Sequence, residues 1–330
     1  MKYTAFLNQK IKELVLAEEK IFIFGQNIAA GSCLSGLTRG LQVKPGNLII
    51  NTPNCENTLC GIGFGSMMHG VSAIFFMKQL DFLLLGIDQL TNTYNIVRRK
   101  APKASFTIFP VVVDSGYEGP QSSLNNLGDF CSIANIQGFS VTNQWDATEI
   151  LEKHLVAPGC RIIAASQRLF KTDIIPVQER VYVNPERTVF QYMGGPEATI
   201  VCFNFSFLHG IELTKRLRDR GVHAALFSVN AATPTSWERI IESIQKTRKL
   251  VLIDDSKSRN VPWQALLQDV SEHVRLENKN KIIIRRDLSG YYPRPHADQL
   301  FIDYEALINR LLSDSRGPKE FFYNIDSGKR

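Results

Sequence analysis

The chain has 330 residues, a length for about two domains of roughly 150 residues each, and its 44% apolar and 21% charged residues exclude disorder over most of that length. The net charge of +6 is spread thinly, with only short basic runs, so nothing marks a nucleic-acid partner. The charged N-terminus has no signal-peptide core, the longest apolar run (82–87) is far too short for a bilayer, and six cysteines without a CxxC pair read as buried reduced thiols; the chain is expected to be soluble and cytoplasmic.

The first segment reads as a helix with Leu7, Ile11, Leu14 and Val15 on one face and Thr4 as its cap. Strand-like runs follow at 21–24, 48–50, 73–76, 106–113, 139–142 and 161–165, with helical stretches at 58–69, 81–98 and 147–155. Strands alternating with helices predict a mostly parallel sheet covered on both faces. The pattern lapses over 170–197, where three prolines, a Gly pair and many charges read as an interdomain connection. It resumes with strands at 198–203, 224–229, 250–253 and 281–284 and helices at 208–220 and 235–248. The last helix pairs Thr235 with Glu238 as a capping box and carries Trp237, Ile240, Ile241 and Ile244 as one stripe. The tail from Ser313 is polar and expected to fray. The fold class is therefore α/β, two doubly wound and mostly parallel domains, with 1–175 as the first domain, 176–197 as linker and 198–330 as the second.

Few constellations carry chemistry. Gly61, Gly63 and Gly65 follow a strand, yet their GxGxG spacing lacks the GxGxxG register of a dinucleotide loop, and no strand-end acid follows. The alternative is a helix of small residues that lets another helix or a cofactor approach its backbone, as at a subunit interface. Glu56, in NTPNCEN, reads either as a helix N-terminus acid favoured by the dipole or as a carboxyl set among Leu59, Ile62 and Phe64, where burial would let it hold a proton near neutral pH. The six histidines are scattered and read as ordinary residues; His69, after the small-residue helix, is the one nearest to this block. The KRLRDR run at 215–220 reads as a solvated helix face behind Leu213 and Leu217.

Taken in order, these blocks resemble the beta subunit of thiamine-diphosphate-dependent 2-oxoacid dehydrogenases, pyruvate and branched-chain dehydrogenases among them, a family within the transketolase-like superfamily. The resemblance runs over most of residues 1–310. IFIFGQNIA with Gly31 and GLTRGL looks like the family's strand, turn and glycine-rich loop. NTPNCENTLCGIGFGSMMHG is similar to its Asn-Thr-Pro-x-x-Glu block and small-residue helix. DFLLLGIDQLTN looks like its aromatic-containing segment, GPQSS with Leu124 stands in the place of the loop over the cofactor, and 199–255 resembles the transketolase C-terminal domain.

The resemblance implies a pyrimidine-binding first domain, a C-terminal second domain, and thiamine diphosphate as cofactor. It implies that Glu56 is the carboxyl that drives the cofactor's aminopyrimidine to its imino form, that Phe82 packs on the pyrimidine, and that Asn54, Cys55, Lys78 and Ser122 line the same pocket. The sequence has no Gly-Asp-Gly motif for the diphosphate and its Mg ion. The family's arrangement is that an alpha subunit supplies that motif in a two-alpha, two-beta tetramer, with a lipoyl acyltransferase as acyl acceptor. Three positions depart from the family: Gln26 where an acid is usual, Lys78 where some members carry Gln, and Gln121-Ser122-Ser123 where many carry His. The expected function is a subunit that decarboxylates a 2-oxoacid and transfers the acyl unit. The rivals are a split transketolase-like carboligase with an aldehyde or sugar acceptor, favoured by Ser122, and a non-catalytic regulatory subunit, which Glu56 and Phe82 argue against. No nucleic acid and no membrane are expected as partners.

Overall fold

The computed structural model describes residues 1–115, 125–177, 179–258, 260–283, 300 and 302–313. The first half builds a six-stranded sheet from β1 (Ile21–Gly25), β2 (Leu48–Asn51), β3 (Ser72–Met77), β4 (Ser105–Val112), β5 (Gln137–Ser140) and β6 (Gly159–Ser166). Its order is β2-β1-β3-β4-β6-β5, and every pair is parallel. The continuous apolar runs explain this: β3 and β4 are buried at every position, as strands covered on both faces must be. The covering helices are α1 (Tyr3–Ala17), α2 (Glu56–Met68), the short α3 (Tyr94–Val97), α4 (Leu127–Ala134) and α5 (Gln144–His154).

The second half repeats the plan with β7 (Tyr182–Val183), β8 (Val189–Met193), β9 (Ala198–Phe203), β10 (Ala224–Val229), β11 (Lys249–Asp254) and β12 (Asn278–Ile283), in the order β12-β11-β9-β10-β8-β7. The first four strands of that order are parallel; β8 and β7 add antiparallel pairs at one edge. Helices α6 (Phe207–Arg218), α7 (Glu238–Thr247), α8 (Pro262–His273) and α9 (Tyr304–Leu312) complete it. Two parallel-dominated α/β sheets are thus the architecture, as the alternation predicts. No helix among the described residues is long and apolar enough to cross a membrane.

The two halves are joined by backbone. Residues 230–232 run antiparallel to the outer edge of β5, with Ser140 N donating to Asn230 O (2.9 Å) and Ala232 N to Gly138 O (2.9 Å). The edge strand of one sheet is thereby covered by the other half. Beneath this seam lies Asp146, whose carboxylate accepts from Thr142 N (2.8 Å), Asn143 Nδ2 (2.7 Å) and Asn230 Nδ2 (3.0 Å). Burial pushes its carboxyl up to about 6, while these donors pull it down.

The structure corrects several local expectations. Thr4 lies inside α1 rather than capping it; the cap position is Lys2, and the Thr4 hydroxyl reaches Phe170 O at 3.4 Å. The Thr235–Glu238 capping box does not form, because α7 starts after Trp237 and the Thr235 hydroxyl bonds instead to that of Thr188 (2.7 Å). The stretch 81–98 is not one helix: a 3₁₀ segment (Leu80–Leu85), a π turn (Gln89–Thr93), α3 and a 3₁₀ turn succeed one another. Thr91 and Thr93 hydroxyls bond within that turn, competing with the regular ladder. The 170–197 segment contains β7 and β8, a hairpin whose turn is held by Asn184 Oδ1 accepting from Thr188 N (2.8 Å) and Val189 N (3.0 Å). Ile284 and the tail beyond Ser313 lie outside the described residues.

Candidate functional site

β1 is flanked by β2 and β3, and Gly25 pairs with Asn51 on one side and with Phe76 on the other. Just beyond this row, residues 52–56 leave β2 and residues 78–82 leave β3. Their exits are two strands apart, roughly 10 Å. They form a notch outside the carboxyl ends of parallel strands, the usual place for a ligand in such a sheet. Gly25 itself admits no side chain, since its φ is +150° and a Cβ would lie 2.0 Å from Phe76 O.

Glu56 opens α2 at one wall of the notch. It is 5% exposed, and its carboxylate has no hydrogen-bond or ion-pair partner among the described residues. Thr52, four residues earlier, has a buried hydroxyl that is also without a partner among the described residues. Leaving that hydroxyl unpaired costs free energy unless something else satisfies it.

The other wall is the 3₁₀ segment carrying Phe82, half-buried against the core. Gly86 brings this segment onto the first turn of α2: a Cβ there would lie 2.7 Å from Cys60 Sγ and 3.2 Å from Glu56 O. Lys78, at the end of β3, is exposed and has no ion-pair partner among the described residues. Asn54 is exposed, and the half-buried Cys55, at the α2 cap position, points its Sγ at Pro53 O (3.7 Å). Glu56, Asn54, Cys55, Phe82 and Lys78 therefore fall on two adjoining segments of one sheet edge. Ser122 lies outside the described residues.

His69 does not join them. It ends α2, a 13-residue helix, about 20 Å from Glu56, and its Nδ1 contacts Gly65 O at 2.8 Å. The glycines lie within α2, after Glu56, rather than in a loop before a helix, which removes the dinucleotide reading. Gly63 serves packing inside the chain: a Cβ would come within 2.2 Å of the Phe106 ring. Gly61 meets Gln89, whereas Gly65 and the 43% exposed Ile62 face outward. Gly63→Ala is expected to cost about 1–3 kcal/mol by overpacking, more than the ~1 kcal/mol that Ala gains in a helix. Urea unfolding of the variant checks this, and unchanged stability would contradict the packing argument.

Sequence reasoning missed the support for this notch. Asn51 Oδ1 accepts from Ile28 N (2.8 Å) and Ala29 N (2.9 Å), tying the loop after β1 to the end of β2. That loop holds Cys33, Leu34 and Ser35 in succession at φ of 49°, 50° and 56°. Left-handed backbone costs such residues roughly 1–2 kcal/mol each, so the fold must hold it in place. Leu34 is buried and Thr38 Oγ1 donates to Ile28 O at 2.8 Å, which does so. The spaced glycines at 31, 36 and 40, all at positive φ, were the available signal.

The fold and the notch define a two-sheet, parallel-dominated α/β protein with a buried acid at the carboxyl edge of its first sheet. By sequence the chain is similar to the beta subunits of 2-oxoacid dehydrogenases. It is 26% identical over 259 residues to the mitochondrial pyruvate dehydrogenase E1 component subunit beta of Dictyostelium discoideum, covering 76% of this chain and 72% of that one. It is 22% identical over 279 residues to the 2-oxoisovalerate dehydrogenase subunit beta of Bacillus subtilis (strain 168), covering 83% and 85%. Among solved structures it resembles a split gene transketolase, an inactive beta4 tetramer, with a TM-score of 0.63 at 14% identity over 93% of this chain and 95% of that one. No family model matches the chain.

Proposed function

We propose that the chain is the beta subunit of a heteromeric thiamine-diphosphate-dependent enzyme that decarboxylates a 2-oxoacid and passes on the acyl unit. The observation that carries this is Glu56, buried in the notch with no partner for its carboxylate among the described residues. The residues present suit the pyrimidine end of the cofactor. An orphaned carboxyl matches a ring nitrogen, the orphaned Thr52 hydroxyl offers a further polar contact, and the half-buried face of Phe82 suits a planar ring. When bound, thiamine diphosphate supplies a nucleophilic ring carbon and an electron sink. Glu56 Oε holds a proton at the pyrimidine nitrogen and so favours the tautomer that acts as base. Phe82 orients the ring, Asn54 and Cys55 line the rim, and the Lys78 ammonium adds positive charge where an anionic 2-oxoacid would enter.

The diphosphate end requires a partner. The sequence has no Gly-Asp-Gly, so an alpha subunit that brings this motif and its Mg ion completes the site, in a two-alpha, two-beta assembly. Calorimetry tests the split site. The purified chain is expected to give no saturable Mg-dependent heat with thiamine diphosphate, and the co-expressed complex is expected to give one. Tight Mg-dependent binding to the chain alone would contradict the split site.

One residue favours a second reading. At Ser122 many relatives of this type carry His, and a serine hydroxyl stays uncharged near neutral pH. Transfer to a lipoyl sulfur would then be slow, and an aldehyde or sugar would serve as acceptor. Efficient acylation of a lipoyl domain by the reconstituted complex excludes this carboligase reading. Turnover that rises on adding aldehyde supports it.

A further inference from the structure

The second sheet carries a groove of about 550 Å³ between the β8–β10 edge and α7, on a different sheet from Glu56. That volume lies within the range of small-molecule sites. Arg239 projects into it from α7. Its Nε donates to Oε1 of Gln191 at 3.0 Å, and Gln191 is itself only 5% exposed, so a buried amide holds the guanidinium from behind. Its Nη1 donates to Glu242 at 2.9 Å, its Nη2 has no hydrogen-bond partner among the described residues, and the guanidinium lies over the Tyr182 ring, 5.7 Å from the centroid. Lys246 lines the same groove seven residues on, two turns along the same helix face. It has no ion-pair partner among the described residues. The exposed His223 imidazole stands across from them, at the start of β10.

The opposite wall is backbone. At Gly195 a Cβ would fall 2.4 Å from His223 O, so the chain after β8 and the chain before β10 approach too closely for a side chain. Ala225 and Pro196 add apolar surface. Glu242 is the one acid among the lining residues and is taken up by Arg239, while the nearby Glu197 is engaged by the His223 backbone N–H. Among the lining residues, Arg239 and Lys246 against Glu242 leave a net charge of +1.

We propose that this groove binds the phosphate group of a small phosphomonoester. A guanidinium and an ammonium on one side and an imidazole on the other suit a phosphate group, whose several anionic oxygens can accept from more than one donor. The apolar wall takes a few carbons of the ester.

The test uses the full chain, with its partner if that is needed for solubility, at constant ionic strength. Thermal unfolding is followed against inorganic phosphate, glycerol 3-phosphate and, as control, sodium chloride. Both phosphates are expected to raise the melting temperature saturably, the ester at the lower concentration. Lys246→Glu, at an exposed position, is expected to weaken both about tenfold or more, and Glu56→Gln to leave both unchanged. No saturable shift, a shift with phosphate but not with the ester, or an unaltered response in Lys246→Glu overturns the proposal.

Discussion

Glu56→Gln is expected to lower turnover of the reconstituted enzyme by about 10²–10⁴-fold, the loss typical of a positioned proton-transfer group. Gln has the same length and shape and keeps a hydrogen-bonding oxygen, but it cannot hold a shared proton at a ring nitrogen. The fold should survive. Glu56 is the first residue of α2, and its carboxylate holds no other part of the described chain together. What the helix loses is the dipole term alone, about 0.3–1 kcal/mol. Turnover and thermal unfolding are measured side by side. Near-normal turnover would falsify the catalytic role, whereas lost turnover with an unchanged melting temperature separates chemistry from folding.

The strands were legible because burial on both faces leaves no room for polar residues: the runs 73–76, 106–113 and 198–203 each became a strand within a residue or two. The Asn-Thr-Pro-x-x-Glu block was legible because it is local, a short span that joins one strand to one helix. What escaped depends on contacts distant in sequence. Gly86 stands where the expected helix is interrupted, with Cys60 and the first turn of α2 packed too closely against it for a side chain. Thr235 gives up its capping role to Thr188, 47 residues away. The prolines of 170–197 concealed a hairpin whose Asn184 side chain organises the turn. Two omissions were avoidable. Pro262 at the first turn of α8 and Asp303 capping α9 through Ala306 N (3.0 Å) are ordinary start signals. The orphaned Thr52 hydroxyl had no sequence signal, since a missing partner shows only in three dimensions.

A second large effect is expected at Arg168, which no local pattern singled out. Its Nη2 meets Asp255 Oδ2 at 2.5 Å and lies 3.8 Å from Asp114 Oδ2, with the arginine side chain 16% exposed and the two aspartates 1% and 5%. Asp114 follows β4 in the first half and Asp255 follows β11 in the second, so one guanidinium neutralises acids from both. Burial would lower the Arg168 pKa, but the two carboxylates outweigh it and hold the group above its ordinary value. Asp114 is pushed up by burial, against Arg168 and the Ser166 hydroxyl, which pull it down. Arg168→Met keeps much of the volume and removes the charge, leaving two buried acids facing each other. Breaking a buried pair in this way costs about 3–5 kcal/mol, which for a chain of this size lowers the melting temperature by roughly 4–7 °C. The pH dependence identifies the cause. Without the arginine, the folded-state pKa of Asp114 rises further above its unfolded value. The stability this gives is fully present below the unfolded pKa, near 4, and is lost as pH rises through the folded one. The deficit relative to wild type should therefore be largest near neutral pH and shrink on acidification toward 4. Adding Asp255→Asn to Arg168→Met should recover part of the loss at pH 7, because it removes one of the stranded charges. A deficit that stays constant with pH, or a double variant no better than the single one, would assign the effect to packing and refute the electrostatic account.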